Sequence, residues 1–232
     1  MSKLLPELSF FCPAYNDEEN LPRLIPAVRA FLDQVAERWE IIIVEDGSPD
    51  RSGRVADEFA IGDSRIRVIH HPKNLGYGVT IGDGYRAARY SLVMYTDGDY
   101  QYDIEEFLPH LRRLDSYDVL SGYAPQKAVS FRRRVQSWSY NALLAILFGV
   151  FWRDANCSMK LFKKSVLDMI EIRSTSAFVD AEMLLRAKRR GSRICQFPVT
   201  HYPRRAGLAS GSRFSVVSST IREMVLFRLG LL

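Results

Sequence analysis

Two carboxylates one residue apart, Asp97 and Asp99, close the stretch Leu92-Val93-Met94-Tyr95-Thr96. Acids this close repel each other and raise each other's pKa unless a cation sits between them. A hard divalent ion is the usual partner, and it can hold a substrate phosphate on its far side. Gln101 adds a neutral oxygen at the next alternate position. The apolar run before the acids reads as a strand buried on both faces. Ligands of open α/β sheets collect off the carboxyl ends of the strands. The spacing therefore predicts that Asp97 and Asp99 overhang a pocket. The plain alternative is an acidic turn that ends a strand.

The elements that would position these acids are readable on either side. Leu8 to Cys12 reads as a first strand, running into Pro13-Ala14-Tyr15-Asn16-Asp17-Glu18-Glu19-Asn20. Asn20 is a candidate helix cap, with Pro22 in the first turn. Leu21, Leu24, Ile25, Val28, Phe31, Leu32 and Val35 recur at the helical period. Glu40 to Val44 is a second strand, ending in Glu45-Asp46-Gly47-Ser48-Pro49-Asp50. Carboxylates there suit a ribose or a base N–H, while Ser48 or Asp50 suits a helix cap. Arg65 to His70 is a third strand. Gly76 and Gly78 then allow close backbone approach and open a helix to about Arg89. A helix from about Ile104 to Leu114 and a fifth strand, Asp118 to Ser121, complete the alternation. Repeated strand–helix units with short links predict an α/β fold, a mostly parallel doubly wound sheet with helices on both faces. No Gly-x-Gly-x-x-Gly follows the first strand, which argues against a dinucleotide-binding Rossmann domain.

Past Gly122 the character changes. The net charge of +5 conceals −8 over residues 1–125 and +13 over residues 126–232. A half this basic faces something anionic: phosphate, nucleic acid or a membrane surface. Nucleic acid is disfavoured, because the aromatics cluster with aliphatics instead of interleaving with the charges. Arg132-Arg133-Arg134 leads into a helical pattern, Val135 to Trp152, with Trp138 and Tyr140 near the basic end. This suits a helix lying in a membrane interface, or a core helix with a polar start. The longest uncharged apolar run, Ala142 to Trp152, has 11 residues, against the ~20 needed to span a bilayer. Met1 to Pro6 has no signal-peptide core, so no membrane crossing is expected. Further helices are expected from about Lys164 to Ile172 and from Phe178 to near Arg190. A short strand, Arg193 to Phe197, and an amphipathic segment, Val216 to Leu232, follow. Cys12, Cys157 and Cys195 are too few for a disulfide framework or zinc site and read as small buried hydrophobes in a reducing compartment. His70, His71, His110 and His201 read as structural or surface residues.

Pro13-Ala14-Tyr15-Asn16-Asp17-Glu18, Val44-Glu45-Asp46-Gly47-Ser48, Asn74-Leu75-Gly76-Tyr77-Gly78 and Asp97-Gly98-Asp99-Tyr100-Gln101 occur in the order of the GT-A, family-two inverting glycosyltransferases. Asp154 to Phe162, Phe178 to Glu182 and Pro198 to Gly207 resemble the polyprenyl-phosphate branch, which includes dolichol-phosphate mannosyltransferases. The resemblance runs from about residue 8 to 213. It implies a GT-A domain over residues 1–213, with a nucleotide-sugar half (1–122), an acceptor half (123–213) and an amphipathic C-terminal segment (214–232). It also implies transfer of a sugar from a nucleotide diphosphate sugar to a polyprenyl phosphate. Pro13, Tyr15, Glu18, Asp46 and Gly76 would then line the nucleotide-sugar pocket. Asp97, Asp99 and Gln101 would hold Mg²⁺ or Mn²⁺. Asp154 falls where the family has an acid by the reaction centre, and Glu182 matches an acid of the acceptor-side helix. Arg204, Arg205 and Arg213, with Arg133 or Arg134, would grip phosphates. Many relatives carry an Arg after the fifth strand; here Ser121-Gly122-Tyr123-Ala124 lacks one, and Lys127 is the substitute. The expected location is peripheral, on the cytoplasmic face of a membrane. An interfacial helix, an anchoring partner or a second copy of the chain would hold it there. Two other readings stay open. One is a hydroxyl acceptor such as a polysaccharide, which needs a strong base, Asp180 or Glu182; no Gln-x-x-Arg-Trp signature of processive enzymes is found. The other is a non-catalytic nucleotide-sugar-binding subunit.

Overall fold

The computed structural model describes residues 3–204 and 214–232. Strands β1 (Leu5–Ala14) and β2 (Ala36–Glu45) run parallel, with Phe10 opposite Ile41 and Cys12 opposite Ile43. Both are apolar on both faces over their second halves, as a strand covered above and below requires. β3 (Ile66–His70) flanks β2, and β4 (Leu92–Tyr95) flanks β1 in parallel. β5 (Val119–Tyr123), β6 (Lys160–Lys163) and β7 (Ile194–Pro198) complete a seven-stranded sheet ordered β3-β2-β1-β4-β6-β5-β7. β6 is antiparallel to both neighbours.

The helices are α1 (Leu21–Val35), α2 (Ser52–Gly62), α3 (Tyr77–Ala87), α4 (Phe131–Phe148), α5 (Lys164–Leu167), α6 (Val179–Arg189) and α7 (Phe214–Arg228). A 3₁₀ helix, Ile104–Asp115, contains Pro109. α1, α2 and the 3₁₀ helix cover one face of the sheet, packing Phe31 and Phe107 with Phe10, Cys12, Ile41 and Ile43. α3, α5 and α6 cover the other, where Ile81, Tyr85 and Met183 meet Phe11, Ile42, Val44 and Tyr95. α3 approaches β1 at backbone distance: a Cβ on Gly84 would lie 2.2 Å from the Phe11 ring. An outer layer of α4 and α7 packs on α6 through Leu144, Leu185, Met224 and Phe227.

The doubly wound sheet is as expected, and the differences have local causes. β6 was not anticipated: Lys160-Leu161-Phe162-Lys163 places a lysine at each end and leaves two apolar residues between. The helix expected to Ile172 is a single turn, α5. Asn20 does not cap α1; its amide donates to Asp17 Oδ1 at 2.8 Å. α4 starts at Phe131 and stops at Gly149, whose φ of 65° ends the helix in the left-handed region. The two halves drawn at residue 122 share one sheet, because β5 of the first half pairs with β6 and β7 of the second. All three cysteines are free and buried, and no described helix is long and apolar enough to cross a membrane.

Candidate active site

Parallel neighbours end on the same edge of a sheet, so the loops after β1, β2 and β4 meet. Gly98 makes the closest junction: a Cβ there would lie 2.5 Å from the Pro13 carbonyl oxygen and 3.0 Å from Asp17 Oδ2. The loops carry left-handed backbone at two residues other than glycine, Asn16 (φ 58°) and Tyr100 (φ 53°). Asn tolerates that region, whereas for Tyr it is strain, of the kind held at ligand sites. Asp17 is buried; it accepts from the Tyr15 amide at 3.1 Å, and its own amide donates to Ser52 Oγ at 2.7 Å. Burial pushes its carboxyl above the ordinary value; the bonds from Asn20 and Tyr15 offset part of this, and the charge of Asp99 adds to it.

The paired acids stand over this junction. Asp97 Oδ1 accepts from the Tyr77 hydroxyl at 2.9 Å, and the Asp97 amide donates to Ser158 Oγ at 3.2 Å. Burial, then the charges of Asp99 and Asp180, push the Asp97 carboxyl up to about 7. Asp99 Oδ1 accepts from the Gln101 amide at 3.2 Å, and Asp99 Oδ2 is paired with Arg204. Arg204 Nε is buried with no partner among the described residues. Gln101 donates its side-chain amide to the Tyr202 carbonyl at 2.9 Å, which leaves Oε1 as the group it can offer a cation. Among the described residues Asp17, Asp97 and Asp99 thus gather with Arg204 beside Asp99, a concentration of negative charge that a divalent ion would balance. Among the described residues no three His, Cys, Asp or Glu side chains form a metal cage. Two acids and a carboxamide leave coordination positions open, which suits Mg²⁺ or Mn²⁺ shared with a phosphate. The donor set fits such an ion.

On the β2 side the Asp46 carboxylate is engaged by the protein itself. Its Oδ1 accepts from the Leu75 amide at 2.8 Å and faces His71 Nδ1 at 2.7 Å, and its Oδ2 accepts from the Gly76 amide at 3.0 Å. It holds the loop that opens α3. Gly76 is required by its φ of 99°; the close approach is made at Gly78, where a Cβ would lie 2.5 Å from Thr175 C. Tyr15 is exposed at the mouth, Pro13 lies beneath Gly98, and Glu18 is paired with Arg51 at 3.0 Å.

The acceptor side centres on Asp154, which is buried and paired with Lys127 at 2.8 Å. Lys127 also donates to Ser137 Oγ of α4 at 3.2 Å. His201 receives the Ala128 amide at 3.3 Å. Burial, then Lys127 and Arg133, hold its imidazole below the ordinary value, while Asp99 and Asp154 pull the other way. His201 is bridged to Tyr102, its ring edge-on to that of Tyr102 at 5.1 Å, a placement its sequence neighbours do not signal. Arg133 lies in the first turn of α4, and the Arg134 guanidinium lies 5.8 Å from the Phe131 ring. Arg205 and Arg213 lie outside the described residues. Glu182, in the first turn of α6, is fully buried; it accepts from the amides of Arg173 and Ser174 and pairs with Arg186 at 2.7 Å.

The profile of "Glycosyl transferase family 2" matches residues 9–170. The chain is 32% identical over 210 residues to "Glycosyltransferase AglD" of Haloferax volcanii, covering 85% of this chain and 33% of that protein. It is 30% identical over 227 residues to "Polyprenol monophosphomannose synthase" of Mycolicibacterium smegmatis, covering 91% of this chain and 81% of that one. It therefore spans a third of the Haloferax relative and about four fifths of the mycobacterial one. Among solved structures it is similar to glucosyl-3-phosphoglycerate synthase from Mycobacterium tuberculosis in complex with Mn²⁺, uridine diphosphate and glucosyl-3-phosphoglycerate. There the TM-score is 0.74 at 18% identity, over 98% of this chain and 81% of that one, a likeness of fold. Because the family match runs from β1 through β6 and takes in the paired acids, the chain belongs to glycosyl transferase family 2.

Proposed function

We propose that this protein transfers a sugar from a nucleotide diphosphate sugar to a polyprenyl phosphate at a membrane surface, with inversion. The observation that carries the reading is the cluster of Asp17, Asp97 and Asp99 at the end of β4, with Arg204 paired to Asp99. Asp97, Asp99 and Gln101 Oε1 would hold Mg²⁺ or Mn²⁺. Bound there, the ion supplies positive charge for the leaving diphosphate. Arg204 and Arg133 supply fixed charge for phosphates on either side. Asp154, with Lys127 in contact, orients the acceptor end.

An acceptor phosphate is already anionic and needs no strong base. That agrees with the commitments of Asp180, paired with Lys160 at 2.7 Å, and of Glu182, the two bases a hydroxyl acceptor would need. Relatives named for polyprenyl and dodecaprenyl phosphates support the acceptor class. α4 supports peripheral membrane contact. Phe131 (73%), Trp138 (72%) and Ile146 (80%) are exposed, as is Phe151 (88%) just beyond it, and Arg132, Arg133 and Arg134 stand at its start. The test is incubation with a panel of nucleotide sugars, Mg²⁺ or Mn²⁺ and a polyprenyl phosphate, read by mass spectrometry of the lipid. A glycosylated lipid phosphate is expected from the wild type. Asp97→Asn and Asp99→Asn should lose at least ~10²-fold in turnover. Full turnover in both variants, or transfer only to hydroxyl acceptors, refutes the reading.

A further inference from the structure

Behind Asp97 lies a group of side chains that the transfer reaction has not yet used. Lys160, on β6, is fully buried, and Asp180, in the first turn of α6, is nearly so. Register explains the meeting. Lys160 is opposite Tyr95 across the β4–β6 ladder, two residues before Asp97, and opposite Ser121 across the β5–β6 ladder. Lys160 Nζ donates to Asp180 Oδ1 at 2.7 Å and to the Cys157 carbonyl. The Tyr95 hydroxyl also donates to Asp180 Oδ1. The Tyr77 hydroxyl lies 2.9 Å from Asp97 Oδ1 and 3.3 Å from Asp180 Oδ2.

We propose that Lys160, Asp180 and Tyr77 are positioning residues that fix Asp97 for its metal, and that Asp180 is not a general base. The proposal rests on the transferase reading above. A buried charge needs a partner of opposite sign, and Lys160 is the ammonium that Asp180 touches. Tyr77 has one proton and two carboxylates within reach. With Lys160 and Tyr95 already serving Asp180, that proton goes to the nearer acceptor, Asp97 Oδ1. With Oδ1 held by Tyr77, Oδ2 is the Asp97 oxygen assigned to the cation. Without Lys160, Asp180 is an unbalanced buried carboxylate that draws the Tyr77 proton to itself, and Asp97 loses its anchor. A general base must reach the proton it abstracts; Asp180 is buried, with Oδ1 held by Lys160 and the Tyr95 hydroxyl and Oδ2 facing the Tyr77 hydroxyl.

The test is Mn²⁺ uptake by the full chain, followed as loss of the free-ion electron paramagnetic resonance signal, with Mn²⁺ alone as the probe. Tyr77→Phe removes one hydroxyl and no volume. It should raise the Mn²⁺ dissociation constant about fivefold, the worth of one hydrogen bond, with the unfolding midpoint near wild type. Lys160→Met should do the same, because Asp180 then draws the Tyr77 proton, whereas the neutral pair Lys160→Met with Asp180→Asn should restore wild-type uptake; Tyr77→Phe added to Asp97→Asn should add nothing. If the Lys160 variants fail to fold, Tyr77→Phe decides. Wild-type Mn²⁺ affinity in folded Tyr77→Phe or Lys160→Met overturns the positioning role and leaves the transferase reading standing. Wild-type protein that takes up no Mn²⁺ overturns the metal site and this proposal together. Turnover lost in Asp180→Asn with Mn²⁺ affinity unmoved assigns Asp180 to base catalysis and also overturns it.

Discussion

Glu223 is the residue whose removal gives the sharpest stability forecast. On α7 it accepts from five donors of one short loop: the hydroxyls of Ser174, Thr175 (2.8 Å) and Ser176 (2.6 Å) and the amides of Thr175 (3.1 Å) and Ser176 (3.2 Å). In Glu223→Ala the hydroxyls can rotate toward water, but the two amides are left without an acceptor. At ~1–3 kcal/mol for each orphaned donor, the loss is about 2–6 kcal/mol. In a chain of this size that lowers the melting temperature by about 4–24 °C. Glu223→Gln keeps one acceptor oxygen and should fall between. The dependence on pH has a fixed sign. Burial pushes the Glu223 carboxyl up, but the bonds from Ser174, Ser176 and Thr175 outweigh it, and the folded-state value lies below the ordinary 4.5. Its stabilisation is therefore complete above pH 4.5 and is lost as pH falls through the lower folded value. Urea unfolding followed by circular dichroism at neutral pH and on either side of pH 4.5 reads both effects. A Glu223→Ala protein as stable as wild type at neutral pH, or a deficit that widens in acid, refutes the argument.

Gly84→Ala places a Cβ 2.2 Å from the Phe11 ring, which is stacked 5.1 Å from Tyr95 and edge-on to Tyr85 at 4.6 Å. With no room for that ring to turn, the substitution should cost ~1–3 kcal/mol in urea unfolding; a neutral result would mean that α3 slides freely on β1. Trp138→Ala should weaken binding to vesicles of anionic phospholipid about tenfold in co-sedimentation, with wild-type binding falling as salt rises. Binding indifferent to Trp138, lipid charge and salt refutes the membrane-facing role of α4.

Much of this molecule is legible in its sequence, and the illegible part has a common cause. β1, β2 and β4 are continuous apolar runs, and such runs announce buried parallel strands. Asp97 and Asp99 follow one of them directly, so their place at a strand's end needs no knowledge of the rest of the fold. β6 is hidden because lysines bound it, and a buried lysine makes sense only beside an acid 20 residues further along the chain. Asp46 and Glu182 show the same limit from the side of the acid. An acid at a strand end or on a helix reads as available to a ligand, yet both are consumed by backbone amides of distant loops. Local pattern reports which residues are buried or strand-like. It does not report which donors a carboxylate will meet after the chain has folded.

The reversed direction of β6 bears on synthesis. β5 is hydrogen-bonded only to β6 and β7, so a nascent chain that has reached Tyr123 carries a strand with nowhere to dock and an open edge along β4. The sheet closes only when residues 160–163 have emerged and turned back between them. A chain severed between β5 and β6 would divide the sheet unevenly, and the two pieces could reassemble only by threading that one short strand into its slot.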